Sequence, residues 1–174
     1  MSDIEGLETL IRILDKKVRG GERFTLYTTK AENVSKFRRE HPRIYKAIMS
    51  EYPENVVEDV ENIIDLFSNV ENLKNELEKE YGFGTAPWLN EISTKDDKAV
   101  ITMYVRKFVR RVCEKEIPFE IRYKGGKEYY DKVMECIDRH ITPKVRRFLG
   151  ENAKISCDFT KYEGPECIIT VELD

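Results

Sequence analysis

Apolar residues in the first half of the chain recur at helical spacing. Ile4, Leu7, Leu10, Ile11, Leu14 and Val18 form one stripe, which predicts a helix over 2–19. Ser2 and Glu5 read as a capping box at its start, and Gly20 and Gly21 as its stop. The β-rich run RFTLYTT, Arg23 to Thr29, predicts a short strand. Residues 30–50 return to helical spacing. Pro42 lacks an amide hydrogen and pushes His41 out of helical geometry, so two short helices are expected on either side of it. Pro53 suits the first turn of a long helix over 53–81. Val56, Val60, Ile63, Phe67, Val70, Leu77 and Tyr81 alternate spacings of three and four along it, interrupted by Lys74, and Val57, Ile64 and Leu73 widen the face. At about 1.5 Å per residue this rod is on the order of 40 Å long.

The pattern changes after the turn-rich stretch GFGTAPWLNEI, which holds the single tryptophan and marks a boundary. Trp88 to Ile92 is a candidate strand. Ser93 or Thr94, with Asp96 or Asp97, then reads as a cap for a helix running to Glu116. Ile101, Tyr104, Val105, Phe108, Val109 and Val112 share one of its faces. Arg106, Lys107, Arg110 and Arg111 project from the other, with Glu114 placed to pair with Arg110. IPFEIRYK alternates apolar and polar residues and predicts a half-buried strand. Residues 127–149 predict a helix interrupted at Thr142–Pro143. Two alternating strands close the chain, one carrying Ile155, Cys157 and Phe159 inward and the other Cys167, Ile169, Val171 and Leu173, with KYEGPE as the loop between them.

The predicted class is α+β. A helical subdomain over 1–84 precedes an α-β-α-β-β subdomain over 85–174, whose small, mainly antiparallel sheet is covered by helices on one face; one core shared by the two is the alternative. With Trp88–Ile92 counted as a strand, the second half reads β-α-β-α-β-β. That order resembles the Alba chromatin proteins and the C-terminal domain of bacterial translation initiation factor three. The resemblance is one of element order over about half of the chain. It implies nucleic-acid binding and carries over no residue role.

Composition narrows the classes. Charged residues make up 36% and hydrophobic residues 40%, yet the net charge is only −3, which suits a folded surface of mixed ion pairs. The chain contains no glutamine, and its Lys, Glu and Arg content predicts a thermophilic source, although asparagine is not depleted. The opening MSDIEGLETL is acidic rather than basic, and no apolar run nears the roughly 18 residues of a membrane span, so a cytoplasmic protein without membrane contact is expected. Cys113, Cys136, Cys157 and Cys167 form no CxxC pair and predict buried thiols rather than a metal site. Cys157 and Cys167 face inward on neighbouring strands, where a disulfide is an open alternative.

Charge distribution carries the functional expectation. Between Glu51 and Glu80 stand ten carboxylates and two lysines. Against them stand three basic clusters, at 36–46, 106–111 and 139–147. One account pairs these clusters internally with the acidic rod. The other makes them a phosphate-binding surface, since the planar arginine fork meets two phosphate oxygens at once. The favoured reading is a non-enzymatic binding module for nucleic acid or a nucleoprotein complex, using Arg38, Arg39, Arg106, Lys107, Arg110, Arg111, Arg146 and Arg147. The alternative is a structural or adaptor protein that forms a homodimer, or binds a protein partner, through Val60, Ile63, Phe67, Val70 and Leu77. A third reading is a metal-dependent, nuclease-like enzyme that uses Glu120, Arg122 and Lys124 on a strand face near Asp158. His41 and His140 lie in basic clusters and read as surface or capping residues. No P-loop, dinucleotide-binding glycine motif or glycine-flanked serine is present, and no cofactor is implied.

Overall fold

The N-terminal helices form where the apolar spacing places them. In the computed structural model, which describes residues 2–20, 23–82, 88–95, 97–160 and 165–173, α1 spans Ser2–Val18, α2 Thr28–Glu40, α3 Pro42–Met49 and α4 Glu54–Tyr81. His41 breaks α2 from α3 with φ −130° and ψ 59°, and Pro42 occupies the first position of α3, where a missing N–H costs nothing. Gly20 ends α1 at φ 76°. The Ser2 side chain, and with it the expected capping box, lies outside the described residues, as do Gly21 and the two predicted loop stretches 83–87 and 161–164. Leu10 and Leu14 of α1, Val34 and Phe37 of α2, and Val60, Ile63, Phe67, Val70, Leu73 and Leu77 of α4 are all buried.

The sheet is antiparallel throughout, in the order β1-β2-β3-β5-β4. Its strands are β1 (Arg23–Tyr27), β2 (Leu89–Lys95), β3 (Lys98–Tyr104), β4 (Lys154–Asp158) and β5 (Glu166–Glu172). Phe24, Leu26, Ile92, Ala99, Ile101, Met103, Cys167, Ile169 and Val171 line the buried face. Thr25, Ser93, Thr102 and Thr170 alternate with them and are only half-buried or exposed, as the twofold strand period requires. β1 comes from the helical half and forms an edge of the sheet. The buried residues of both halves belong to one hydrophobic cluster. The α+β class, with a small antiparallel sheet covered by helices on one face, is what the structure shows.

Two segments differ from expectation. Residues 93–105 are not the first half of a helix. They form the β2–β3 hairpin, in register Lys95↔Lys98, and Asp96 lies outside the described residues. Aspartates serve hairpin turns and helix caps alike, and over seven residues Ala99, Ile101 and Met103 satisfy the strand period with β-branched neighbours. The cationic helix therefore begins at Arg106. It runs as α5 (Arg106–Phe108), a π turn over Val109–Cys113, and α6 (Glu114–Glu116).

The second difference is IPFEIRYK, which is not a strand. Pro118 adopts φ −56° and ψ 144° before α7 (Phe119–Lys124), and Gly125, at φ 66°, ends it. The alternation misled because Phe119 and Tyr123 also stand four apart, and they stack with ring centres 5.9 Å apart. α8 (Gly126–His140) and α9 (Thr142–Leu149) follow, split at Ile141, next to the expected Thr142–Pro143. The second half thus reads β-β-α-β-β, with all its helices between β3 and β4. This order removes the likeness to the Alba and initiation-factor domains.

Candidate nucleic-acid interface

The basic clusters separate into two kinds. On α2, Arg38 Nη1 donates to Asp65 Oδ1 at 2.9 Å, and Arg39 Nη1 to Glu71 Oε1 at 3.3 Å. On α9, Lys144 bridges Glu76, at 3.5 Å, and Glu80. The hydrogen bond to Glu80 holds its ammonium pKa above the usual lysine value. Within α4, Lys74 reaches Glu32 of α2 at 2.8 Å. Asp65, Glu71, Glu76 and Glu80 of α4 are therefore met by α2 and α9, and Arg38 and Arg39 serve as intramolecular partners. Val60, Ile63, Phe67, Val70 and Leu77 are each 2% exposed or less. The α4 face expected to be an interface is instead filled by the chain's own core.

The helix over 106–116 is different. Phe108 anchors it in an aromatic cluster, with ring centres 5.0 Å from Tyr81, 5.8 Å from Trp88 and 6.1 Å from His140. With Phe108, Val109 and Cys113 buried, Arg106, Lys107, Arg110 and Arg111 are left on the exposed side. Arg106 and Arg110 form no ion pair among the described residues. Glu114, the expected partner of Arg110, instead accepts a hydrogen bond from Tyr129 Oη at 3.0 Å. Burial, reinforced by that bond, pushes the Tyr129 pKa up to about 12. The π turn widens the helix by one residue across Val109–Cys113, a local irregularity often found at functional sites.

On α9, Arg146 and Arg147 are exposed, and the Arg147 guanidinium lies 4.9 Å from the centre of the Phe148 ring.

No family model, curated protein or solved structure matches this chain.

Sequence patterning did not single out α7 as part of a surface. Phe119 is 64% exposed and Tyr123 83%, with the Arg122 guanidinium 5.7 Å from the Phe119 ring centre. This places an exposed, stacked aromatic pair beside a guanidinium. The helical reading of FEIRYK, with its four-residue aromatic spacing, was the signal that would have revealed it. The same helix removes the strand face on which Glu120, Arg122 and Lys124 were to act with Asp158, so the nuclease-like constellation is not assembled. His140 Nε2 lies 3.0 Å from Glu116 Oε1, and His41 Nε2 lies 3.4 Å from Asp3 Oδ2. No helix among the described residues is long and apolar enough to cross a membrane.

Proposed function

We propose that this protein is a non-enzymatic nucleic-acid-binding module. Its phosphate contacts come from Arg106, Lys107, Arg110 and Arg111, with Arg146 and Arg147 of α9 as a second cationic stretch. The observation that supports the reading is that Arg38, Arg39 and Lys144 are engaged by carboxylates of α4, while Arg106 and Arg110 stand exposed with no ion pair among the described residues. The net charge of −3 does not oppose it, because screening confines each charge to roughly 10 Å at 0.1 M salt and local sign governs binding. Phe119 and Tyr123 favour a single strand, whose unstacked bases gain about 1–3 kcal/mol each on an aromatic side chain.

The test is a titration of single-stranded DNA, single-stranded RNA and duplex DNA at low and moderate salt. Binding that weakens with salt, falls in Arg106→Ala/Arg110→Ala, and loses its single-strand preference in Phe119→Ala/Tyr123→Ala is expected. A folded chain showing no salt-sensitive binding at low ionic strength overturns the reading.

A further inference from the structure

Four metal-ligating side chains converge where the π-bulged helix meets α8. Cys113 and Glu116 stand three apart on the first, and Cys136 and His140 stand four apart on the second, so each helix directs two donors to one side. The donor atoms of Glu116, Cys136 and His140 all lie within 4.8 Å of one another, and Cys113 is disulfide-bonded to Cys136 with Cα atoms 5.7 Å apart. The two cysteines are 0% and 1% exposed, while the His140 and Glu116 side chains are 31% and 38% exposed. The cluster thus has a buried sulfur floor and a solvent-facing mouth. Arg139 Nη2 donates to Glu116 Oε2 at 2.7 Å, leaving Oε1 turned to His140. That guanidinium is placed as an outer partner that would orient a ligating carboxylate.

We infer that Cys113, Cys136, His140 and Glu116 form a redox-gated site for one Zn²⁺ ion. Two thiolates, an imidazole and a carboxylate are a donor set of the kind zinc takes tetrahedrally. Two Zn–S bonds of about 2.3 Å at the tetrahedral angle place the sulfurs roughly 3.8 Å apart, within reach of side chains on these Cα positions. In the disulfide state neither sulfur carries the thiolate charge that zinc binds, and the site is closed. A phosphine reductant opens it: the phosphine takes oxygen from water to become its oxide, and the two electrons and two protons released give two thiols. Zinc then displaces both thiol protons to solvent and neutralises a thiolate pair that would be costly to bury alone. The inference does not depend on nucleic-acid binding.

The experiment uses the full chain carrying Cys157→Ser and Cys167→Ser, so that no other cysteine can bind metal. After phosphine reduction and desalting, Co²⁺ is titrated as the probe and then displaced with Zn²⁺. One equivalent of Co²⁺ giving the visible bands of a tetrahedral thiolate complex, bleached by Zn²⁺, is expected. The oxidised chain is expected to give no such bands. Cys136→Ser should abolish them, and the partly exposed Glu116→Gln and His140→Asn should weaken Co²⁺ affinity at least tenfold in chains whose circular dichroism is unchanged. No Co²⁺ uptake by the reduced chain, uptake undiminished in both Glu116→Gln and His140→Asn, or equal uptake by the oxidised chain overturns the inference.

Discussion

Arg38 of α2 grips Asp65 of α4 at 2.9 Å, and its second nitrogen reaches Ser68 Oγ at 3.4 Å. An arginine that looks like a phosphate ligand in the sequence is thus part of a helix–helix seam. Asp65 remains 62% exposed, so the pair belongs among surface ion pairs worth about 0–1 kcal/mol. Arg38→Ala is expected to lower unfolding stability by no more than about 1 kcal/mol in a urea melt. It should leave the salt dependence of nucleic-acid binding unchanged, whereas Arg106→Ala should make that dependence shallower. A shallower dependence in Arg38→Ala would return α2 to the interface.

Gly6 opposes helix propensity for a packing reason. Alanine there would favour α1 by about 0.8–1 kcal/mol in isolation. A Cβ at this position would run into the backbone carbonyl oxygen of Asn33 and stand 3.1 Å from Phe37 Cβ. Backbone of α2 cannot yield as a flexible side chain can, and overpacking of this kind costs about 1–3 kcal/mol. Gly6→Ala is therefore expected to be less stable than the parent in denaturant unfolding. A more stable variant would show that α1 and α2 do not approach this closely.

The α4 face makes a sharper test. Phe67 is fully buried within its own chain, so Phe67→Ala should cost about 3–5 kcal/mol. Because that loss arises inside one molecule, the shift in midpoint should be the same across a hundredfold range of protein concentration. A concentration-dependent midpoint would place this face against a second copy.

How much of this was legible in sequence depended on segment length. The stripe over 53–81 extends across many turns, and only one periodicity fits it, so α4 was readable almost to the residue. KAVITMY and FEIRYK are seven and six residues long, and each satisfies both periods. The sheet could decide the first, because β3 lies between β2 and β5, but no sequence signal announces that pairing. The cations showed a similar limit. Their positions on helix faces were visible, but Arg38 and Arg106 look alike until packing sets one beside Asp65 and leaves the other in solvent. The Cys113–Cys136 pairing has no local sequence signal. Cys113 and Cys136 sit on separate helices 23 residues apart, and only the packing of the π turn on α8 joins them.

Alkaline pH should unfold this protein early. Burial pushes the pKa values of both Tyr45 and Tyr129 up to about 12 from the ordinary value of 10.0. The Lys144 pKa is also raised above 10.5, by its hydrogen bond to Glu80. In each case the folded chain holds a proton that the unfolded chain releases, so stability falls as pH rises, starting near the unfolded values of about 10. Thermal melts between pH 9 and 12 should show a declining midpoint, and Tyr129→Phe should make the decline shallower. An unchanged slope in that variant would mean that Tyr129 ionises freely in the folded state.

The Cys157–Cys167 disulfide should act locally. These residues are directly paired across β4 and β5, with Cα atoms 4.1 Å apart, and the bond spans a sequence separation of 10. The sequence predicts buried thiols, with a Cys157–Cys167 disulfide as the alternative; the structure has that bond and a second between Cys113 and Cys136. β4 lies at an edge of the sheet, pairs with β5, and contributes no fully buried side chain. A loop of this length constrains the unfolded chain by about 2–3 kcal/mol. Cys157→Ser/Cys167→Ser should lose roughly that much stability. In hydrogen exchange the β4 amides should lose protection before those of β2 and β3, which lie inside the sheet. Equal loss across all five strands would mean that the bond supports the whole core and not this edge.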